Sequence, residues 1–149
     1  MLIYILARYF HFFAVFGVIA TLVIENIAIK PSITQEDAIN LAKVHIVFNV
    51  SSILTFLVGF TLWLWIGKPS DFYTENPLFV TKIIIFTFIL VAGLVTTVFF
   101  RSHRKGNTEI IAVPPIIIFC LRLQLALFVV ALILAFFVAR GVGLGYYAY

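Results

Sequence analysis

Residues Leu78–Phe100 read LFVTKIIIFTFILVAGLVTTVFF, an apolar run broken by a single charge at Lys82. Crossing a bilayer takes about 20 helical residues, so this run is long enough to span. Three more runs share the property: Leu2–Ile29, Val44–Ile66 and Ala112–Ala139. Backbone groups in lipid must be satisfied within the segment, which demands helices. The alternative, a closed barrel, needs polar–apolar alternation that these runs lack. The expected fold is therefore all-α: a polytopic membrane protein forming an up-and-down four-helix transmembrane bundle. The four runs use most of the 149 residues, leaving one domain, 1–149, with no room for a soluble catalytic module. A composition 64% hydrophobic and only 11% charged lies far from soluble averages. The net charge of +4 is diluted by apolar surface and no nucleic-acid motif accompanies it, so membrane lipid is the expected environment and nucleic acid is not a partner.

Punctuation fits this plan. Met1–Ala7 lacks a basic n-region, so the first run reads as a retained helix rather than a signal peptide. Pro31 ends it, because proline cannot continue an α-helix. Thr34, three residues before Asp37, reads as an N-cap with an acid in the first turn, which starts the second helix near Gln35. Gly67-Lys68-Pro69-Ser70 breaks its far end, Asn76-Pro77 opens the third helix and Pro114-Pro115 the fourth. Gly141, Gly143 and Gly145 read as fraying at its end. Arg101, Arg104 and Lys105 form the strongest basic cluster, joined on the same side by Lys30 and Lys43, which predicts a cytoplasmic face there. Lys68, Arg140 and the N-terminus take the other side, so both termini are expected to be periplasmic or extracellular. Trp63, Trp65, Tyr73, Tyr4, Tyr9, Tyr146, Tyr147 and Tyr149 gather toward that side as an aromatic belt. Cys120 is alone and forms no internal disulfide.

Depth sorts the ionisable residues into two layers. Arg8 and His11, one turn apart on the first helix, fall level with Lys82 near the start of the third. On the cytoplasmic half lie Glu25, His45, Asn49 and Arg122, the last roughly 15 Å into its span at 1.5 Å per residue. His11, Val15, Val18, Leu22 and Glu25 share one stripe; His45, Asn49, Ser52, Phe56, Gly59 and Trp63 share another. Turned inward, these stripes predict a Glu25–Arg122 pair, since an unpaired buried charge is costly. Lys82 is expected to reach the outer headgroups with its long stem, His45 to lie near the boundary, and His103 in a solvated loop.

Two polar layers invite a cofactor, a quinone or a proton path. Imidazole binds haem iron through either ring nitrogen, which makes His11 a candidate cofactor and metal ligand. Arg8 is placed to pair a haem propionate, and Lys82 has the right depth for a second ligand. Glu25, His45, Asn49 and Arg122 serve proton transfer or intramembrane pairing. A cofactor-free structural or accessory role and a transporter or channel component are the alternatives. Val15, Val18 and Leu22 separate the layers, so a continuous pore would require an oligomer. No Walker loop, dinucleotide fingerprint or metal-spaced Cys/His cluster is present.

The stretches Arg8-Tyr9-Phe10-His11-Phe12, Asn76-Pro77-Leu78-Phe79-Val80-Thr81-Lys82, Leu121-Arg122-Leu123-Gln124-Leu125 and Ala139-Arg140-Gly141-Val142-Gly143 resemble a widespread, largely uncharacterised family of small four-helix bacterial inner-membrane proteins, over nearly the whole chain. More distantly the chain is similar to the bacterial four-helix membrane protoporphyrinogen oxidase family, whose haem-site pattern implies His11 and Lys82. The loop after the first helix departs from that family, so the resemblance implies a haem-linked site and not a substrate. Taken together, the expectation is a protein of the bacterial inner (cytoplasmic) membrane, linked to haem b or a quinone, acting as a homodimer or with a redox partner.

Overall fold

The computed structural model describes residues 1–107 and 109–144. Four long helices carry the fold: α1 (Leu2–Ala28), α2 (Gln35–Thr61), α4 (Pro77–His103) and α5 (Pro115–Ala139), with a short α3 (Ser70–Thr74) before α4. A π-helical turn, Leu62–Ile66, prolongs α2. All four long helices are apolar enough to cross a membrane by length and composition. The α1–α2 and α4–α5 hairpins pack most heavily, and α2–α4 and α1–α5 contacts close the ring. This is the up-and-down bundle that the hydropathy pattern predicts. Its outer faces are apolar, with Phe13, Phe16, Leu94 and Val98 all turned outward.

The helix ends follow from local chemistry. Ile29 is extended ahead of Lys30 and Pro31, where the proline ring disfavours a helical predecessor. Thr34 Oγ1 accepts the Asp37 N–H at 3.1 Å while Asp37 Oδ2 accepts the Thr34 N–H at 3.2 Å, a reciprocal capping box that starts α2 at Gln35. Asn76 caps α4 through the Leu78 N–H at 2.9 Å, with Pro77 in the first turn, where a missing N–H costs nothing. Asn76 is fully buried because its amide also donates to the Val142 carbonyl, tying the end of α5 to the start of α4. Gly141 and Gly143 take positive φ, which closes the turn after α5.

One feature was not expected from the sequence. Ile110–Ala112 is not helix but strand β2, antiparallel to β1 (Ser32–Thr34), with Ile33 opposite Ile111. The Val113 N–H extends the ladder to the Pro31 carbonyl at 2.9 Å. Pro114 and Pro115 delay α5, and the pairing gives the freed backbone groups their partners. The ladder closes one end of the bundle; both described ends of the chain lie at the other. These are called the ladder end and the terminal end below.

Apolar packing falls into two clusters. Ile29, Ile33, Leu41, Phe99, Phe100, Ile111 and Leu121 with their neighbours fill the ladder end. Val18, Leu22, Phe48, Ile89 and Phe128 form a plug nearer the middle. Trp63, Trp65, Tyr4 and Tyr73 lie toward the terminal end as the aromatic belt requires; Trp63 Nε1 donates to Thr74 Oγ1 at 3.2 Å. Tyr146, Tyr147, Tyr149 and Gly145 lie outside the described residues.

Candidate functional site: two polar layers and two cavities

The terminal-end layer forms around a half-open cavity of about 330 Å³ lined by α1, α2 with its π-helical extension, α3, α4 and α5. Arg8, His11 and Lys82 all line it, so the three residues that sequence depth grouped together do share one space. Lys68 joins them, brought in by the turn after the π-helical segment. Among the described residues no Asp or Glu lies in the wall. The cations lean on aromatic faces instead: Lys82 Nζ lies 4.6 Å from the Phe79 ring centre and Lys68 Nζ 3.9 Å from that of Phe72. The Arg8 guanidinium sits 5.4 Å from the Tyr4 ring and donates to its hydroxyl at 3.3 Å. Lys82 is half-buried beneath this aromatic wall, inside the cavity.

His11 is positioned by a missing side chain. A Cβ placed on Gly59 would stand 2.9 Å from His11 Cε1, so only glycine lets the ring lie against α2. His11 Nδ1 is buried without a protein partner. Tyr73, in the loop helix α3, also lines the cavity; burial pushes its phenol above the ordinary range, so it stays an O–H donor. The wall therefore combines donors and cations with a broad aromatic surface, the composition of a small-molecule pocket.

The ladder-end layer is a hydrogen-bonded network. Glu25 and His45 are both buried, with Glu25 Oε1 and His45 Nδ1 2.8 Å apart. On its other edge His45 Nε2 meets Thr97 Oγ1 at 2.9 Å, and Asn49 Nδ2 donates to that same hydroxyl at 3.1 Å. Thr97 Oγ1 donates onward to the Gly93 carbonyl at 2.6 Å. The His45 ring is stacked on Phe48 and tilted against Phe100, each with centres 5.1 Å away. Among the described residues this is the only charge-bearing pair within 4 Å. A second cavity, of about 250 Å³, reaches His45 and Thr97 and is bordered by Arg101 and Arg104.

Two expectations need correction. Glu25 does not pair with Arg122. Buried positions on α5 run Ile117, Leu121, Gln124, Phe128 and Ala131, and Arg122 lies off that stripe, exposed on the lipid-facing surface. His45 is buried inside the bundle. Because α2 starts at Gln35, His45 lies about 15 Å along its helix and is only 2% exposed. His103 is likewise the last residue of α4 rather than a loop residue, with its Nδ1 2.9 Å from the Phe99 carbonyl.

Sequence reasoning missed Thr96 and Thr97, whose hydroxyls complete the His45 site, and Gln124, which donates to the Ile89 carbonyl at 3.1 Å. It also missed Asn26, which bridges α1 to the Leu121 carbonyl at 3.0 Å. The usable signal was a side-chain amide or a threonine pair inside an otherwise apolar run. No three His, Cys, Asp or Glu side chains converge among the described residues.

Among known proteins, no curated protein and no solved structure matches the chain, and no comparison links it to the protoporphyrinogen oxidase. A family does match, described as Predicted membrane protein (DUF2214), and it covers residues 3–143, from the start of α1 through the turn that follows α5. Four apolar helices and a match over nearly the whole chain lead to one statement: the protein belongs to this DUF2214 family of membrane proteins.

Proposed function

We propose that the protein is a small redox-linked membrane protein whose terminal-end cavity takes a planar, amphipathic cofactor of the quinone or haem class. The observation that carries this reading is the meeting of His11 and Lys82 on one aromatic-walled cavity whose described lining holds no Asp or Glu. Its volume of about 330 Å³ lies at the small end of ligand pockets and suits a quinone ring. His11 and Lys82 would hold a quinone's carbonyl oxygens by hydrogen bonds, and Arg8 and Lys68 would favour the negative charge that reduction places there. Haem b is the second reading. His11 supplies the imidazole and Arg8 a propionate partner, but a macrocycle needs more room than a single ring.

Orientation belongs to the same proposal. Lys30, Lys43, Arg101, Arg104 and Lys105 gather at the ladder end. The positive-inside rule then puts that end in the cytoplasm of a bacterial inner membrane, with both termini beyond it.

The test uses Trp63, which lines the cavity. In a Trp65→Phe background it is the sole tryptophan, since the chain has 2. Titrating the detergent-purified protein with a short-chain ubiquinone should quench it saturably, with affinity about tenfold weaker in His11→Gln and Lys82→Gln, a loss of about 1.4 kcal/mol. Oxidised and reduced spectra after growth with ample haem test the second reading. A stoichiometric Soret band lost in His11→Ala selects haem; neither quenching nor a Soret band overturns the cofactor reading.

A further inference from the structure

We propose that a proton relay runs through the bundle interior, from the ladder-end cavity through His45 and Glu25, past the hydroxyls of Ser52 and Thr55, to the terminal-end cavity at His11. The proposal goes beyond the cofactor reading and stands whether or not a quinone binds.

It begins with one face of α2. His45, Asn49, Ser52 and Thr55 follow one another at three- and four-residue steps, so successive groups rise by about 4.5 to 6 Å. Helix α1 runs beside this face in the opposite direction. Glu25 meets His45, Gly17 lies against the Ser51 side chain, and His11 rests on Gly59. The sequence of polar groups on α2 therefore ends one turn short of the imidazole.

The hydroxyls of Ser52 and Thr55 on this face differ from those of the threonines elsewhere in the described helices. Thr21, Thr61, Thr81, Thr87, Thr96 and Thr97 each donate to a carbonyl of their own helix three or four residues earlier. This is how a hydroxyl in an apolar helix is normally satisfied. Ser52 and Thr55 are 1% and 7% exposed, yet neither Oγ nor Oγ1 has a protein partner. Glu25 Oε2 and His11 Nδ1, at the two ends of the same line, are buried and unpartnered too. Buried polar atoms without protein partners are characteristically satisfied by internal water; one water bridges the single turn from Ser52 to Thr55, and a short file of waters bridges the two turns, about 10.5 Å, from the level of His45 to Ser52.

Each end of the line meets a cavity. His45 and Thr97 line the ladder-end cavity, with Arg101 and Arg104 at its border; Thr55 and His11 line the terminal-end one. Between them Val18, Leu22, Phe48, Ile89 and Phe128 are packed against one another, leaving no space for a hydrated metal ion. A file of water and hydroxyls beside this plug passes protons alone.

The transfer balances at every group. In the relaying state the Thr97 hydroxyl turns its proton from the Gly93 carbonyl to His45 Nε2. It passes that proton to Nε2 while taking another from the ladder-end cavity. The ring gives its Nδ1 proton to Oε1 of a Glu25 carboxyl that carries its own proton on Oε2. Glu25 releases a proton from Oε2 to the water beside it. Ser52 and Thr55 each accept one proton and donate one, and His11 accepts the last at Nδ1 and releases one from Nε2 to the terminal-end cavity. Rotation of the hydroxyls and waters, rotation of the Glu25 carboxyl, which carries its proton from Oε1 back to Oε2, and return of the His45 and His11 tautomers restore the starting state.

The full chain in vesicles loaded with a pH-sensitive dye, with the potential set by potassium and valinomycin, measures this directly. The expected result is a proton flux at least tenfold above protein-free vesicles, with no sodium flux. In Ser52→Ala/Thr55→Val, which removes two hydroxyls and keeps the volume close, the flux should fall to the vesicle background. A wild-type flux equal to that of empty vesicles overturns the relay, as does a double variant that conducts like the wild type. Water-edited solid-state NMR of the unmodified protein gives a readout independent of any variant: Ser52 and Thr55 should receive magnetisation from water, and dry signals at both refute the proposal. Trp63 quenching by a quinone is read separately, so either idea can fail alone.

Discussion

Removing His45 should be among the most destructive single changes in this protein. Glu25 is fully buried, its Oε1 has His45 Nδ1 as partner at 2.8 Å, and its Oε2 has none. His45→Leu therefore leaves an entire carboxyl group without a protein hydrogen bond, which should cost about 3–5 kcal/mol. Glu25→Leu is milder, about 1–3 kcal/mol, because His45 keeps Thr97 Oγ1 as a partner on its other nitrogen. The double variant removes both halves, while Thr97 retains the Gly93 carbonyl and Asn49. Its cost should fall well below the sum of the two, giving a coupling of at least about 2 kcal/mol. Reversible unfolding in mixed micelles, followed by far-UV circular dichroism across a denaturing-detergent titration, measures all four proteins. Additive effects, with coupling under about 0.5 kcal/mol, would refute the pair as a mutual buried contact.

Arg122→Leu should be neutral or stabilising in the same assay. It removes a charge from the lipid-facing side of α5, where a central arginine costs about 2.5–3.5 kcal/mol before snorkelling relieves it, and it should show no coupling to Glu25→Gln. Gly59→Ala should leave the helical content intact but push His11 out of place, since the added methyl would stand 2.9 Å from His11 Cε1. Quinone quenching of Trp63 should then weaken about tenfold, or about 1.4 kcal/mol; unchanged affinity would remove His11 from the site.

Part of the terminal-end cavity's lining was legible in the sequence. Arg8, His11 and Lys82 were grouped by depth alone, because 1.5 Å of rise per residue fixes height along a membrane helix, and all three line one cavity. Height does not fix rotation. Glu25, His45 and Arg122 are close in depth, and the strongest cation looked like the natural partner for the only membrane-embedded acid. The structure turns His45 inward and Arg122 outward, which a 100° step between neighbouring residues decides. The apolar pattern gives little help there: every face of these helices is hydrophobic, so no amphipathic stripe tells core from lipid.

The sequence by itself determined the four helices, their alternating directions and most of their ends. Those outcomes depend on local facts: hydrocarbon leaves the backbone no partner outside the helix, and Pro31, Thr34, Asn76 and Pro115 act within a turn of their own positions. Only the tertiary structure decided that Ile110–Ala112 pairs with Ser32–Thr34, that Thr97 and Asn49 complete the Glu25–His45 network, and that Ser52 and Thr55 keep their hydroxyls unspent. Those outcomes depend on how each helix is rotated about its axis against its neighbours, a choice made by close packing at Gly17, Gly59 and Gly93 across helix contacts distant in sequence.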